Sequence, residues 1–207
     1  MTRPLILLLS LVLLAGCAAQ TPTPEAPRQS GDWSAQLERL TSFDRWRLAG
    51  KVGLRTADDA TSANLDWQQA PFFYRMMISG PFGAGRSTLD GSPEGVTLTT
   101  PDGRFSARTP EQLMQQQLGW SLPISALDYW MRGLPAPNAP HEMQTDDRDF
   151  PRELRQSGWT IDYRDWTWAP ALNGGLWLPQ RLVMTFDDLR ATLVVNQWRP
   201  LDTGTLQ

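Results

Sequence analysis

Over much of this chain apolar and polar residues alternate, the period of a strand with one buried face. Trp46, Leu48, Gly50, Val52 and Leu54 alternate with Arg47, Ala49, Lys51, Gly53 and Arg55. Ala63, Leu65 and Trp67 repeat the pattern, and a third strand after Pro71 sets Phe72, Tyr74, Met76 and Ile78 against Phe73, Arg75 and Met77. Short strands follow around 87–89, 96–100 and 104–108, with Asp90-Gly91 and Asp102-Gly103 as hairpin signals between them. Farther on, Trp159, Ile161 and Tyr163 oppose Thr160, Asp162 and Arg164. A long loop through Pro170 and Asn173-Gly174-Gly175 then leads to Leu182, Met184 and Phe186, a turn at Asp187 and Asp188, and a last strand through Leu189, Ala191, Leu193 and Val195 to Trp198.

Three segments change to helical spacing. Asp32 is placed to cap a helix carrying Trp33, Leu37 and Leu40 on one face. Thr109-Pro110-Glu111-Gln112 has capping-box spacing with proline at the first helical position, and Leu113, Met114 and Leu118 form the apolar side. A further helix begins near Pro123, presents Ile124, Leu127, Trp130 and Met131, and ends at Gly133 and Pro135. Residues 135–151 are rich in proline and acid and predict little beyond short pieces near Met143. About nine or ten antiparallel strands with helices set among them imply a mainly β fold, a curved antiparallel sheet forming an unclosed barrel under a helical lid. A sandwich is the alternative, but it leaves the apolar helices nothing to cover.

The first residues follow neither period. Arg3 precedes an apolar run over 5–14 interrupted only by Ser10, too short to span a bilayer and suited to the core of a signal peptide. The run ends in Leu14-Ala15-Gly16-Cys17, which contains the only cysteine and resembles a bacterial lipobox. That resemblance implies cleavage before Cys17 and acylation of its thiol and new amino group. Ala18, rather than aspartate, favours the outer membrane. The expected divisions are a signal peptide over 1–16, a lipidated cysteine and proline-rich tether over 17–31, one domain over 32–200 and a tail over 201–207.

Composition narrows the chemistry. The net charge is −3, becoming −4 once Arg3 is removed, and no basic stripe suggests nucleic acid. Ten tryptophans, seven phenylalanines and three tyrosines offer more aromatic surface than a core of this size needs, and a large apolar cavity is one explanation. His141 is the only histidine and no serine lies in a Gly-x-Ser-x-Gly elbow, so neither a hydrolytic triad nor a metal site is expected, and no cofactor is required. The pairs Asp58-Asp59, Asp146-Asp147 and Asp187-Asp188 leave open a glycan-cleaving or glycan-binding lipoprotein, since cleavage needs two carboxylates and tryptophans stack on sugars. Finally, Gly80-Pro81-Phe82-Gly83-Ala84-Gly85 puts an aromatic residue on a glycine-rich loop, where it either projects toward a membrane or partner or plugs one end of the barrel.

Several stretches together resemble the LolB family of outer-membrane lipoprotein receptors. They are the lipobox, Trp33, the strand from Trp46 to Gly53, Asp66-Trp67-Gln68, Gly80-Pro81-Phe82-Gly83, Leu122-Pro123 through Leu127 and Trp130, Gly133-Leu134-Pro135, and Gln156-Ser157-Gly158-Trp159 with Tyr163. The resemblance implies a monomeric, non-enzymatic receptor held in the outer membrane at Cys17 and facing the periplasm. It implies further that the receptor takes lipoproteins from the carrier LolA by binding their acyl chains and inserts them among outer-membrane phospholipids. It gives Pro81, Phe82 and Gly83 the part of a membrane-insertion loop, with phenylalanine where better-known members carry leucine. Trp46, Leu48, Val52, Leu54, Leu65, Trp67, Tyr74, Met76, Leu127 and Trp130 are the candidate cavity residues.

Overall fold

A computed structural model describes residues 27–80, 85–118 and 122–201. The expectations placed on Cys17 and on Pro81, Phe82 and Gly83 lie outside the described residues. In chain order the elements are α1 (Asp32–Thr41), β1 (Trp46–Arg55), β2 (Ala60–Ala70), β3 (Phe73–Ser79), β4 (Ser87–Ser92), β5 (Gly95–Thr100) and β6 (Gly103–Ala107). Then follow α2 (Pro110–Leu118), α3 (Ile124–Met131), β7 (His141–Thr145), β8 (Pro151–Gln156), β9 (Trp159–Ala169), β10 (Leu176–Phe186) and β11 (Leu189–Pro200).

All eleven strands of the described residues form one antiparallel sheet in the order β6-β5-β4-β3-β2-β1-β11-β10-β9-β8-β7. It consists of two meanders, β1–β6 and β7–β11, joined along the β1/β11 seam. Strands β6 and β7 end the sheet unpaired with each other, so the barrel does not close. The chain between them supplies α2, which packs on β5 and β6, and α3, which packs on α2 and β10, while α1 packs on β10.

Several local expectations are corrected. The strands number eleven, not nine or ten, because β8 has a weak pattern and went unforeseen. The turn expected at Asp90-Gly91 falls at 93–94 instead, and Gly91 lies within β4. A Cβ there would come within 2.1 Å of the Tyr74 ring, so glycine is required by packing rather than by a turn. Strand β10 starts at Leu176, well before Leu182, which shortens the preceding loop to 170–175. Phe72 does not join the inward face of β3 but sits in the β2–β3 turn. In α1 the buried face is Trp33, Gln36 and Leu40, with Leu37 exposed, because the Gln36 amide continues the sheet: its Nε2 donates to Trp177 O at 2.9 Å and its Oε1 accepts from Trp177 N at 2.7 Å. Gly31, not Asp32, is the residue before this helix, and the Asp32 carboxylate accepts from Gln29 N. The capping of α2 is as foreseen, Thr109 Oγ1 accepting from Gln112 N at 3.2 Å.

Residues 27–30 are clasped to the β7–β8 turn. Arg28 meets Asp146 at 2.8 Å and lies 4.8 Å over the Phe150 ring, and Ser30 Oγ donates to Asp149 at 2.8 Å. Burial alone would raise the Asp146 pKa, but the N–H groups of Arg148 and Phe150 and the Arg28 guanidinium outweigh it and hold the carboxyl below its ordinary value. A carboxylate lowered in this way contributes stability above the unfolded pKa, near 4, and the contribution is lost as pH falls through the lower folded value. Asp146→Ala is therefore expected to speed tryptic cleavage after Arg28 about fivefold at neutral pH, the equivalent of about 1 kcal/mol of local opening. Digestion time courses check this, with wild type as the reference.

Candidate functional site

The antiparallel registers place one face of every strand inward. Across β11, β1, β2 and β3, Trp198, Leu48, Trp67 and Met76 share one row, and Gly50, Leu65 and Ile78 share the next with Val195. The row continues through β4 to β6 as Leu89, Leu98 and Phe105. On the other meander Leu193, Leu182 and Tyr163 are aligned, as are Ala191, Met184, Ile161, Leu154 and Met143. Period-two patterning thus assembles an almost wholly apolar concave surface from both meanders.

One end of this trough is packed with aromatic rings. Trp46 lies edge-on to Trp67 at 4.8 Å and to Trp198 at 5.1 Å, while Trp33, Phe150 and Trp166 form a second cluster with centroids 5.1–5.6 Å apart. Trp46, Leu48, Trp67 and Trp130 are all buried there, with Leu65, Met76 and Leu127. Toward the other end the inward residues loosen. Val52, Leu54 and Leu189 are half-buried, and Ile78 is 36% exposed although it faces the same way as buried Met76, while Leu98 and Phe105, in the row of Met76 but near the β6 edge of the sheet, are half-buried as well. The inward face is therefore closely packed at the Trp46 end, and its residues are only partly covered toward the β1–β2 and β10–β11 turns and along β5 and β6.

Helix α3 is fixed over the trough by polar bonds concentrated near its C-terminus. Trp130 Nε1 donates to Gln156 Oε1 at 2.8 Å, and Tyr163 Oη donates to Trp130 O at 3.1 Å. Buried Gln156 also bonds Ala136 N and the carbonyls of Ala136 and Ala139, so all its polar capacity is used. Arg132 donates to the carbonyls of Leu40 and Phe43 at 3.1 and 3.0 Å and pairs with Asp128 at 2.9 Å, joining α3 to the end of α1. Burial raises the Asp128 pKa, opposed by Arg132 and the Trp46 indole. The Trp46 indole N–H and Asp128 Oδ1 are both buried without a hydrogen-bond partner of good geometry. At its other end α3 meets α2, where Ser125 N donates to Glu111. The Tyr74 hydroxyl is buried without a partner, and burial, then Glu111 and Asp90, push its pKa up, keeping it neutral at any physiological pH.

The ten candidate residues of the sequence all lie on the inward face or the α3 underside. Trp46, Leu48, Leu65, Trp67, Met76, Leu127 and Trp130 occupy the closely packed region, Val52 and Leu54 lie toward the partly covered end, and half-buried Tyr74 packs over Gly91. Leu98, Phe105 and Leu189, which the sequence does not single out, share this face: on short β5 and β6 the alternation does not tell the inward side, and Leu189 stands at the very start of β11. Residues considered for other chemistry are dispersed. His141 is exposed on edge strand β7, Asp58, Asp59, Asp187 and Asp188 are exposed in turns, and Asp146 serves the clasp. Among the described residues no cluster of three or more His, Cys, Asp or Glu could hold a metal.

Residues 44–198 match the family model described as Outer membrane lipoprotein LolB. The chain belongs to the LolB family. It is 62% identical over 194 residues to the outer-membrane lipoprotein LolB of Chromohalobacter salexigens, covering 94% of this chain and 89% of that one. Identity to its namesake from Pseudomonas putida strain GB-1 is 41% over 198 residues, with 94% of each chain covered. Among solved structures, a LolA superfamily protein from Nitrosomonas europaea aligns with TM-score 0.51 at 9% identity over 84% of this chain and 95% of that one. A DUF1329 family protein from Desulfovibrio piger aligns with TM-score 0.53 at 6% identity over 84% and 92%. These two share the fold of this LolB family member, an unclosed antiparallel barrel with helices across its gap.

Proposed function

We propose that this chain is the outer-membrane receptor of lipoprotein sorting, accepting lipoproteins from LolA and passing them to the membrane. The observation that carries the reading is the apolar inward face, closely packed at Trp46 and partly exposed toward Ile78 and Leu54, in a chain of the LolB family. Acyl chains enter at the partly covered end and displace the loosely packed side chains there, with Val52, Leu54, Leu98, Phe105 and Leu189 as first contacts. Cys17 carries the lipid anchor, the protein acts as a monomer, and the Pro81-Phe82-Gly83 loop meets outer-membrane phospholipid during release.

The energetics explain why such a step needs only a protected apolar surface. A lipoprotein with three chains buries roughly 45 methylenes at about 0.8 kcal/mol each, so exit into water costs on the order of 35 kcal/mol. The corresponding escape rate is on the order of 10⁻¹³ per second. A trough that replaces water contact with protein contact removes most of that barrier without a nucleophile, metal or nucleotide. Forward direction follows if acyl chains bind this trough better than LolA and the bilayer better than either.

A Cys17→Ala chain lacking the signal peptide is expected to purify with bound phospholipid or detergent and to accept an acylated lipoprotein from LolA in solution. Mass spectrometry of extracted lipid and a pull-down against loaded LolA measure the two outcomes. A chain that takes up neither lipid nor lipoprotein refutes the reading. Passage of cargo back to LolA as readily as forward would refute the proposed direction.

A further inference from the structure

Phe72 is 77% exposed, about twice any other large apolar side chain described. It occupies the β2–β3 turn between exposed Pro71 and Phe73, and exposed Pro93 from the β4–β5 turn borders the same surface hollow. Phe73 is held back beneath the Arg75 guanidinium, 5.5 Å above its ring, so Phe72 alone projects.

The meander assigns every turn to one end of the barrel or the other. The β1–β2, β3–β4, β5–β6, β8–β9 and β10–β11 connections leave from one end, and the β2–β3, β4–β5, β7–β8 and β9–β10 connections from the opposite one. The clasp of Arg28 on Asp146 and Ser30 on Asp149 lies at the β7–β8 turn, so the described chain begins at the Phe72 end. Arg45 and Arg199 are exposed at that end as well, and neither has an ion pair among the described residues.

Pro27 lies ten residues after Cys17, with nine between them. A chain of that length spans at most about 33–36 Å. The five longest strands, β1, β2, β9, β10 and β11, have 10–12 residues and, tilted about 40°, make the barrel roughly 25–30 Å from end to end. The Phe72 end therefore lies within reach of the bilayer that holds Cys17 at any span up to that limit, and the opposite end reaches it only with the intervening chain drawn close to its limit.

We propose that the Phe72 tip is a bilayer contact of the resting protein, docking the tether end of the barrel on the phospholipid surface that carries the anchor. The inference rests on the reading of Cys17 as a lipid anchor. Tethering raises the effective concentration into the millimolar range, so one aromatic side chain aided by Arg45 and Arg199 suffices to populate the contact. Cargo transfer and resting contact then use opposite ends of the molecule.

The test uses the full acylated protein on vesicles of phosphatidylethanolamine and phosphatidylglycerol. With Cys17 acylated, Phe72→Cys supplies the only free thiol for an environment-sensitive fluorophore, and Lys51→Cys, on the outer face of β1, is the control. Blue-shifted emission quenched by spin-labelled lipid at position 72, but not at 51, is expected. Water-like emission at 72 from protein that floats with the vesicles overturns the proposal while leaving the anchor intact. Protein that does not float overturns both. Phe72→Ser is expected to keep the wild-type melting temperature, because the side chain is exposed, and to keep uptake from LolA in solution. Loss of that uptake without membranes would assign the tip to a protein partner and overturn the bilayer contact.

Discussion

Phe82→Glu is expected to slow release of bound lipoprotein into phospholipid vesicles by about 10–100-fold while leaving uptake from LolA within about twofold of wild type. The estimate follows from apolar burial: inserting a phenylalanine side chain is worth about 1.5–3 kcal/mol, and a carboxylate at the same place adds a desolvation penalty. Stopped-flow transfer of a fluorescent acylated cargo separates the two steps, since uptake is read without vesicles and release with them. Equal losses in both steps would instead mark Phe82 as a plug of the barrel end, the structural alternative that the glycine-rich loop admits. Fully retained release would remove the loop from the mechanism altogether.

Gly50→Ala is expected to destabilise the fold by at least about 3 kcal/mol, lowering the melting temperature by about 6–12 °C. Gly50 sits where the β1/β11 register shifts, and a Cβ there would lie 2.2 Å from the Val194 carbonyl oxygen. That oxygen belongs to the backbone, so relief requires the two strands to separate rather than a side chain to turn. The consequence is large because β1/β11 is the seam that joins the two meanders. Thermal denaturation followed by circular dichroism measures it. An unshifted melting temperature would mean that the bulge relaxes without cost. Glycine at this position reads in the sequence only as an unremarkable member of an alternating strand.

How much was legible depended on the range of the interaction. Strand β1, the α2 cap and the extent of α3 were readable because alternation, Thr109 with Pro110, and Gly133 act within a few residues. Turn placement around Gly91 was not, because the glycine answers to the Tyr74 ring on the neighbouring strand rather than to its own backbone. Strand β8 was hidden for a related reason. Its Gln156 reads as polar yet is buried, satisfied by Trp130, Ala136 and Ala139 from other parts of the chain.

The candidate site divides in the same way. Each strand's pattern separated two faces and collected the right residue types, but only pairing across β11, β1 and β2 identified the inward one. Whether a given apolar residue of the trough is fully buried or only partly covered depended on the aromatic clusters and on where α2 and α3 rest. Leu48 and Leu54 are indistinguishable by local pattern, yet one is fully buried and the other half-exposed.

The sequence by itself determined a mainly β chain with short apolar helices, a lipobox-like start and a resemblance to the LolB family, because alternation, capping residues and motif order are local properties. The tertiary structure decided the eleven-strand order, the seam at Gly50 and which inward residues are fully buried and which only partly covered. It also set the tether's exit beside the Phe72 end. Those features depend on which distant residues meet, and period-two alternation is the same whichever neighbour a strand pairs with.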